Sequence, residues 1–464
     1  MQYLKRNKEK IIFWIGVTIL SLLLVLNLKE ILCIQVWRHD EIYYIEYLRK
    51  LKAEGRWINY FLIDFLKAFP AHASALLDVS FFGGFIYIAS AKLLSQKKAF
   101  LFTLLLLQLN PLYAVIHWPG TILPAHFSLF LCAYLSKRYR YEFVLALAGI
   151  LFHGTFNNLY NLIPLLFIRE IKTSRQFFRF FSFWVLFYVI GYAGAQVMTK
   201  AISGQFIQIG LWRHPNYATS LAAMAQNLKR VFGDLSLHIH VFTITNFVLC
   251  ILAASVCLWK KLFNRFQLLL LFCVGLSCYG QAFPIGIGVV LRTVYPLYAA
   301  LLMPFCFLLL CKKGFVFVLS AILFISTGFF ADNINSLRYY NRITNIWIEH
   351  LQKIPNDLRR NNKLIFLANN SETRRVEQHL KQTMQLNNKL STSLGVAYKW
   401  APCAISLGYQ VTTINKSENN VNRIKPKWLG KCNFRSNELY QWAIHEGTVV
   451  VRFNPKLLKK IKSK

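Results

Sequence analysis

The stretch IIFWIGVTILSLLLVLNL, residues 11–28, decides the fold class. Eighteen consecutive uncharged residues make about 27 Å of helix, nearly the thickness of a hydrocarbon core. The basic MQYLKRNKEK of residues 1–10 precedes it, and no small-residue cleavage site follows. It therefore reads as a retained first helix, with the N-terminus in the cytoplasm.

Working outward, similar apolar segments recur as far as Ala331, and the 464-residue chain is 55% hydrophobic and only 16% charged. Its mean hydropathy is +0.38. A soluble domain of this length is rarely so apolar. Candidate spans fall at residues 11–34, 72–94, 99–117, 119–135, 176–199, 241–259, 266–284, 294–311 and 314–331. The expected fold is thus an α-helical polytopic membrane protein of about nine spans, residues 1–331. A small C-terminal α/β domain, residues 332–464, follows outside the cytoplasm.

Charge sets the expected orientation. The formal net charge is +35, and basic clusters at Lys97–Lys98, Lys137–Arg140, Lys260–Lys261 and Lys312–Lys313 belong on the cytoplasmic side. Nucleic acid is a poor partner for so apolar a chain. Residues 143–168 lie between KRYRYE and REIKTSR, two basic segments that prefer the same side. Two full crossings need about 40 residues, so a re-entrant pair of half-helices is expected, its tip at His153–Asn158, where protein or water surrounds the irregular backbone. The tail from Asp332 on, with 23 Lys and Arg against 8 Asp and Glu, then emerges outside. Long domains cross largely regardless of charge, and an oxidising space would allow Cys403 and Cys432 to pair. Within it, Ile343 to Leu358 reads as helix, and Lys363 to Ala368 and Thr448 to Phe453 as strands.

Acidic side chains are scarce, which narrows any acid–base chemistry. Between Glu170 and Asp332 there is only Asp234, whereas Val36 to Ser80 holds Asp40, Glu41, Glu46, Glu54, Asp64 and Asp78. Asp40 and Glu41 follow the first span beside Trp37, Tyr43 and Tyr44, an interfacial aromatic setting. They read either as caps of the amphipathic helices that follow, broken at Gly55, or as a general base for a hydroxyl group. Arg292, between two apolar segments, suits a phosphate clamp or a headgroup anchor. His117, His126 and His153 sit in apolar context, where a structural hydrogen bond competes with substrate contact. No spacing among them makes a metal site, so no cofactor is called for and a divalent metal lacks support. No phosphate-binding loop of the G-x-x-x-x-G-K-[ST] kind is present.

The order of HDEIYY (39–44) and AEGRWINYFL (53–62) resembles the serotype-converting O-antigen glucosyltransferases, with a carboxylate pair after the first span and a G-R-x element before an apolar helix. NPLYAVIHWPGTILPAHFSL (110–129) and the ending GTVVVRF (447–453) are similar to further parts of that family. The chain departs from it in having Asp40–Glu41 for paired aspartates, Gly55-Arg56-Trp57 for G-R-P, and HWPG at residues 117–120 for a charged patch. The resemblance implies a membrane glycosyltransferase that takes a sugar, glucose in that family, from a polyprenyl-phosphate donor. The acceptor is a surface polysaccharide or lipopolysaccharide on the outer side of a bacterial inner membrane. The catalytic outer loop is residues 36–71, with Asp40 or Glu41 as base. Arg56 and Arg292 bind phosphate, Trp57 and Tyr44 stack on sugar, and His117 and His153 line the substrate. Two other readings stay open. LAGILFHGTFNNLYNLIPLLFI (147–168) also resembles the histidine-bearing segment of glycan polymerases, and broken helices suit a lipid-linked glycan flippase.

Overall fold

The computed structural model describes residues 2–37, 47–66, 68–209, 213–311, 314–354, 363–367, 370–383, 403–404, 407, 410–413, 435–436, 438–445 and 448–462. They form two compact units. One comprises Met1–Lys29, Glu46–Phe69 and Ala73–Asn333, and the other Glu30–Ile45, Pro70–His72 and Ile334–Lys464.

The larger unit is helical. Its elements are α1 (Gln2–Leu32), α2 (Tyr47–Glu54), α3 (Trp57–Leu66), α4 (Ala71–Ala91), α5 (Gln96–Leu106), α6 (Asn110–Val115), α7 (Pro119–Leu135) and α8 (Tyr141–Gly154). A 3₁₀ segment, Asn157–Glu170, separates α8 from α9 (Ser174–Ser203), α10 (Leu221–Phe242), α11 (Ile244–Trp259), α12 (Arg265–Ala282), α13 (Tyr295–Leu308) and α14 (Phe315–Gln352), which belongs to this unit as far as Asn333.

Four stretches are long and apolar enough to cross a membrane: Lys10–Leu32, Ala71–Ala91, Ser174–Ser203 and Phe315–Gln352. The α10–α11 pair makes a fifth if its 93° bend lies within one span. The expectation of about nine spans is therefore not supported, and the reason is local. The apolar run at 99–117 breaks at Leu109, which is non-helical at φ −57°, ψ 125°, and Pro111 sits in the first turn of α6, where its missing N–H has no helical acceptor to satisfy. Pro119 starts a new helix at α7. α13, with 14 residues, reaches only about 21 Å. Residues 201–240, between two expected spans, contain most of the 22-residue α10. The expected span at 314–331 and tail helix at 343–358 form one helix as far as Gln352.

The expected break after His153 is present. Thr155 ends α8 at φ −122°, ψ −85°, Phe156 is extended, and the 3₁₀ segment packs back along α8, making a hairpin whose second arm is 3₁₀ and not α. α8 also packs on α9 at backbone contact. A Cβ on Gly191 would lie 2.2 Å from Gly149 O, so small residues set this crossing. α9 itself starts in a capping box of Thr173 and Gln176 and ends at Gly204, φ +76°.

The smaller unit holds a five-stranded sheet in the order β2 (Gln410–Thr413), β1 (Lys363–Leu367), β5 (Thr448–Phe453), β4 (Tyr440–His445), β3 (Arg435–Ser436). β1 runs parallel to β2 and β5, while β4 is antiparallel to β3 and β5. Leu364, Val449, Val450 and Val451 are buried in it. α15 (Asn370–Thr383) packs on α16 (Pro455–Lys462). The Glu30 carboxylate takes Arg338 Nε at 2.9 Å, and Tyr340 Oη donates to Val36 O at 3.0 Å. Cys403 is buried, and Cys432, its expected partner, lies outside the described residues.

Candidate functional site

Gly55 separates α2 from α3. At φ +71° it occupies the left-handed region that a Cβ disfavours, and its N–H still closes the last turn of α2 onto Leu51 O at 2.7 Å. The turn lays both short helices against the starts and ends of longer ones, α2 on α9 and α3 on α7 and α8. Gln208 N–H adds a bond to Lys52 O at 2.9 Å.

Lys50, on α2, is 7% exposed. Its Nζ donates to Thr121 Oγ1 at 3.1 Å, in the first turn of α7. Asn59, fully buried on α3, gives one Nδ2 to Thr121 O at 3.2 Å and Thr155 O at 3.4 Å, joining α7 to the hairpin turn. Asn59 Oδ1 is buried with no hydrogen-bond partner among the described residues. Trp57 and Ile58 close on Gly154, where a Cβ would meet the indole Nε1 at 3.0 Å.

Cations surround this junction. Arg56 Nη2 pairs with Glu54 Oε2 at 2.7 Å, and its guanidinium lies 5.1 Å from the Phe156 ring centroid. Arg213 Nη2 takes the other Glu54 oxygen at 2.8 Å. Arg292 stacks 4.5 Å over Trp118, whose carbonyl accepts the Thr121 N–H at 3.0 Å. Arg56 and Arg213 thus share the Glu54 carboxylate, and guanidinium groups of this kind suit an anion with several oxygens. Two aromatic rings, Phe156 and Trp118, lie against Arg56 and Arg292.

From the sequence-derived set, Arg56 lies against Phe156, Trp57 against Gly154 next to His153, and Arg292 against Trp118 next to His117. His117 is buried next to Trp118. His153 Nδ1 lies 2.9 Å from Gly149 O, so that nitrogen carries the hydrogen. Its Nε2 is left as an acceptor, buried among Tyr160 and Tyr188 with no hydrogen-bond partner among the described residues. Asp40, Glu41 and Tyr44 lie outside the described residues. Sequence reading missed Lys50, Asn59, Thr121 and Arg213. Lys50 falls in the run RKLK, which reads as a solvated helix face, and nothing local reveals that Thr121 covers it.

A mostly helical protein with four or five stretches apolar enough to span a membrane, a small α/β unit and a cation-lined polar junction among its helices is thereby defined. No protein-family model, curated protein or solved structure matches the chain.

Proposed function

We propose that this protein is an integral membrane glycosyltransferase that moves a sugar from a polyprenyl-phosphate carrier to a surface polysaccharide or lipopolysaccharide. The reading further holds the N-terminus in the cytoplasm and puts the reaction, with the C-terminal unit, on the outer side of a bacterial inner membrane. What supports it is one observation: Lys50, Arg56, Arg213 and Arg292 collect around the α2–α3 turn and the first turn of α7. When the sugar passes to the acceptor oxygen, the bond to its carrier breaks and polyprenyl phosphate departs as an anion, and such a cluster stabilises the charge that grows on it. Asp40, or Glu41 beside it, takes the proton of the acceptor hydroxyl. Trp57 offers its ring to a sugar face.

The test uses purified protein in lipid nanodiscs with polyprenyl-phosphate sugars and candidate glycans, products being weighed by mass spectrometry. Asp40→Asn or Glu41→Gln is expected to abolish transfer, and undiminished transfer in both sinks the mechanism. Reporters fused after Lys313 and Asp332 check orientation, and a cytoplasmic signal from the second overturns it.

A glycan polymerase is favoured by a different observation, the open Nε2 of buried His153 in the hairpin. A deletion strain separates the two. Lost polymer length with an intact side-chain sugar supports the polymerase, and a lost side-chain sugar supports the transferase.

A further inference from the structure

A second ionisable group lies inside the helical unit and takes no part in the transfer chemistry above. Asp78 of α4 and His126 of α7 meet with Oδ1 and Nδ1 3.1 Å apart, both side chains 0% exposed. α4 has 21 residues, so Asp78 sits about 10 Å in from Ala71 along a helix able to span a membrane. Phe82, one turn further on, covers the pair, its ring centroid 5.3 Å from the imidazole and 5.4 Å from Tyr295 of α13. Tyr295 in turn is 5.9 Å from the imidazole.

Four polar atoms here are buried with no hydrogen-bond partner among the described residues: Asp78 Oδ2, His126 Nε2, Tyr295 Oη and Ser74 Oγ. Ser74 precedes Asp78 by one turn on the same face of α4. The titratable groups facing the pair are Tyr295 from α13 and, on α4 and α7, only Asp78 and His126 themselves. Among the described residues no Lys or Arg is in ion-pair contact with Asp78.

Charge decides what this arrangement holds. With no proton to share, the pair is a carboxylate beside a neutral imidazole, a single negative charge walled by aromatic rings, which is costly at bilayer depth. One proton makes it neutral, as a carboxylic acid donating to nitrogen or as a carboxylate accepting from imidazolium. Two make it cationic. A metal ion fits less well, since one carboxylate is present and its Oδ1 already faces nitrogen. A proton also needs no cavity.

We propose that Asp78 and His126 together bind one exchangeable proton, with Tyr295 Oη and Ser74 Oγ as the hydroxyls through which it arrives and leaves. Uptake forms one O–H or N–H bond on the pair and breaks one in hydronium. Release reverses both and returns the proton to water. The helical unit is then a proton-binding device, independent of whether it transfers sugar.

Infrared spectroscopy on the full chain in lipid nanodiscs tests this. At neutral pH the wild type is expected to show either a carboxylic-acid C=O band or an imidazolium ring band. That band shifts in D₂O, disappears at alkaline pH and is absent from Asp78→Asn. A neutral-pH spectrum with neither band, or a band that persists in Asp78→Asn, overturns the proposal. A band that neither exchanges in D₂O nor responds to alkali also overturns it, by showing a fixed interhelical hydrogen bond. Exchange and alkaline loss are read on wild-type protein labelled in its aspartate carboxyls and histidine rings. If Asp78→Asn does not fold, His126→Gln serves: it is expected to remove an imidazolium band or displace a carboxyl band, and an unaltered band counts against the pair.

Discussion

Alanine at Gly191 forces apart two helices that now touch through their backbones. An ideal Cβ there lies 2.2 Å from Gly149 O, 2.6 Å from Gly149 C and 2.7 Å from His153 Nδ1. The obstacle is mainly backbone, so no side chain can swing clear, and ordinary contact requires α9 to move from α8 by about 1 Å. Overpacking of this kind costs about 1–3 kcal/mol. Alanine also recovers about 0.5–1 kcal/mol because glycine is a poor helix former, which offsets part of the loss. Gly194, nearly one turn along α9, has no heavy atom within 4 Å of the same construction. Gly194→Ala therefore carries the helix-forming gain without the clash. The two variants should differ by the overpacking alone, about fivefold to 150-fold in the unfolding equilibrium. Reversible unfolding in mixed micelles measures both. Gly191→Ala found no less stable than Gly194→Ala refutes the backbone-contact geometry.

Lys50→Met keeps an apolar stem and removes the ammonium from Thr121. It is expected to lower kcat/KM for polyprenyl-phosphate-sugar transfer by about tenfold or more while leaving the unfolding midpoint nearly unchanged; paired transfer and unfolding assays decide. Gly55→Ala sets a Cβ at φ +71°, costing about 1–2 kcal/mol, and protease cleavage between α2 and α3 should accelerate. Thr173→Ala removes the hydroxyl that accepts Gln176 N–H at 3.3 Å. Losing that cap costs about 1 kcal/mol, read as a lowered unfolding midpoint, and an unaltered midpoint counts against the cap.

Local signals in the chain determined a good deal. The uncharged run at residues 11–28 gives α1, since eighteen uncharged and mostly apolar residues have few other outcomes. Gly55 breaks α2 from α3 because only glycine enters the left-handed turn easily. Gly154-Thr155-Phe156 ends α8 between two apolar segments, and TVVVRF forms β5. The span count was less legible. Hydropathy adds up apolar residues and is insensitive to whether they face lipid or other helices, so α6, α7 and α13 look like crossings although prolines cut them short.

The site divides along the same line. Arg56, Trp57 and Arg292 stand out in sequence because a cation or a large ring at the edge of an apolar segment is conspicuous. That an acidic residue, Asp78, stands inside ALLDVSFF is equally visible. Its partner is not, for His126 is 48 positions away, and Lys50 and Thr121 are 71 apart. Helical periodicity fixes which face a residue occupies on its own helix, but not which helix comes to cover that face. That choice belongs to long-range packing, to glycines that let α8 and α9 touch and to a turn at Gly55 that sets α2 on α9 and α3 on α7. Through those contacts the tertiary structure turned scattered charges into a cation-lined junction and a buried carboxyl–imidazole pair.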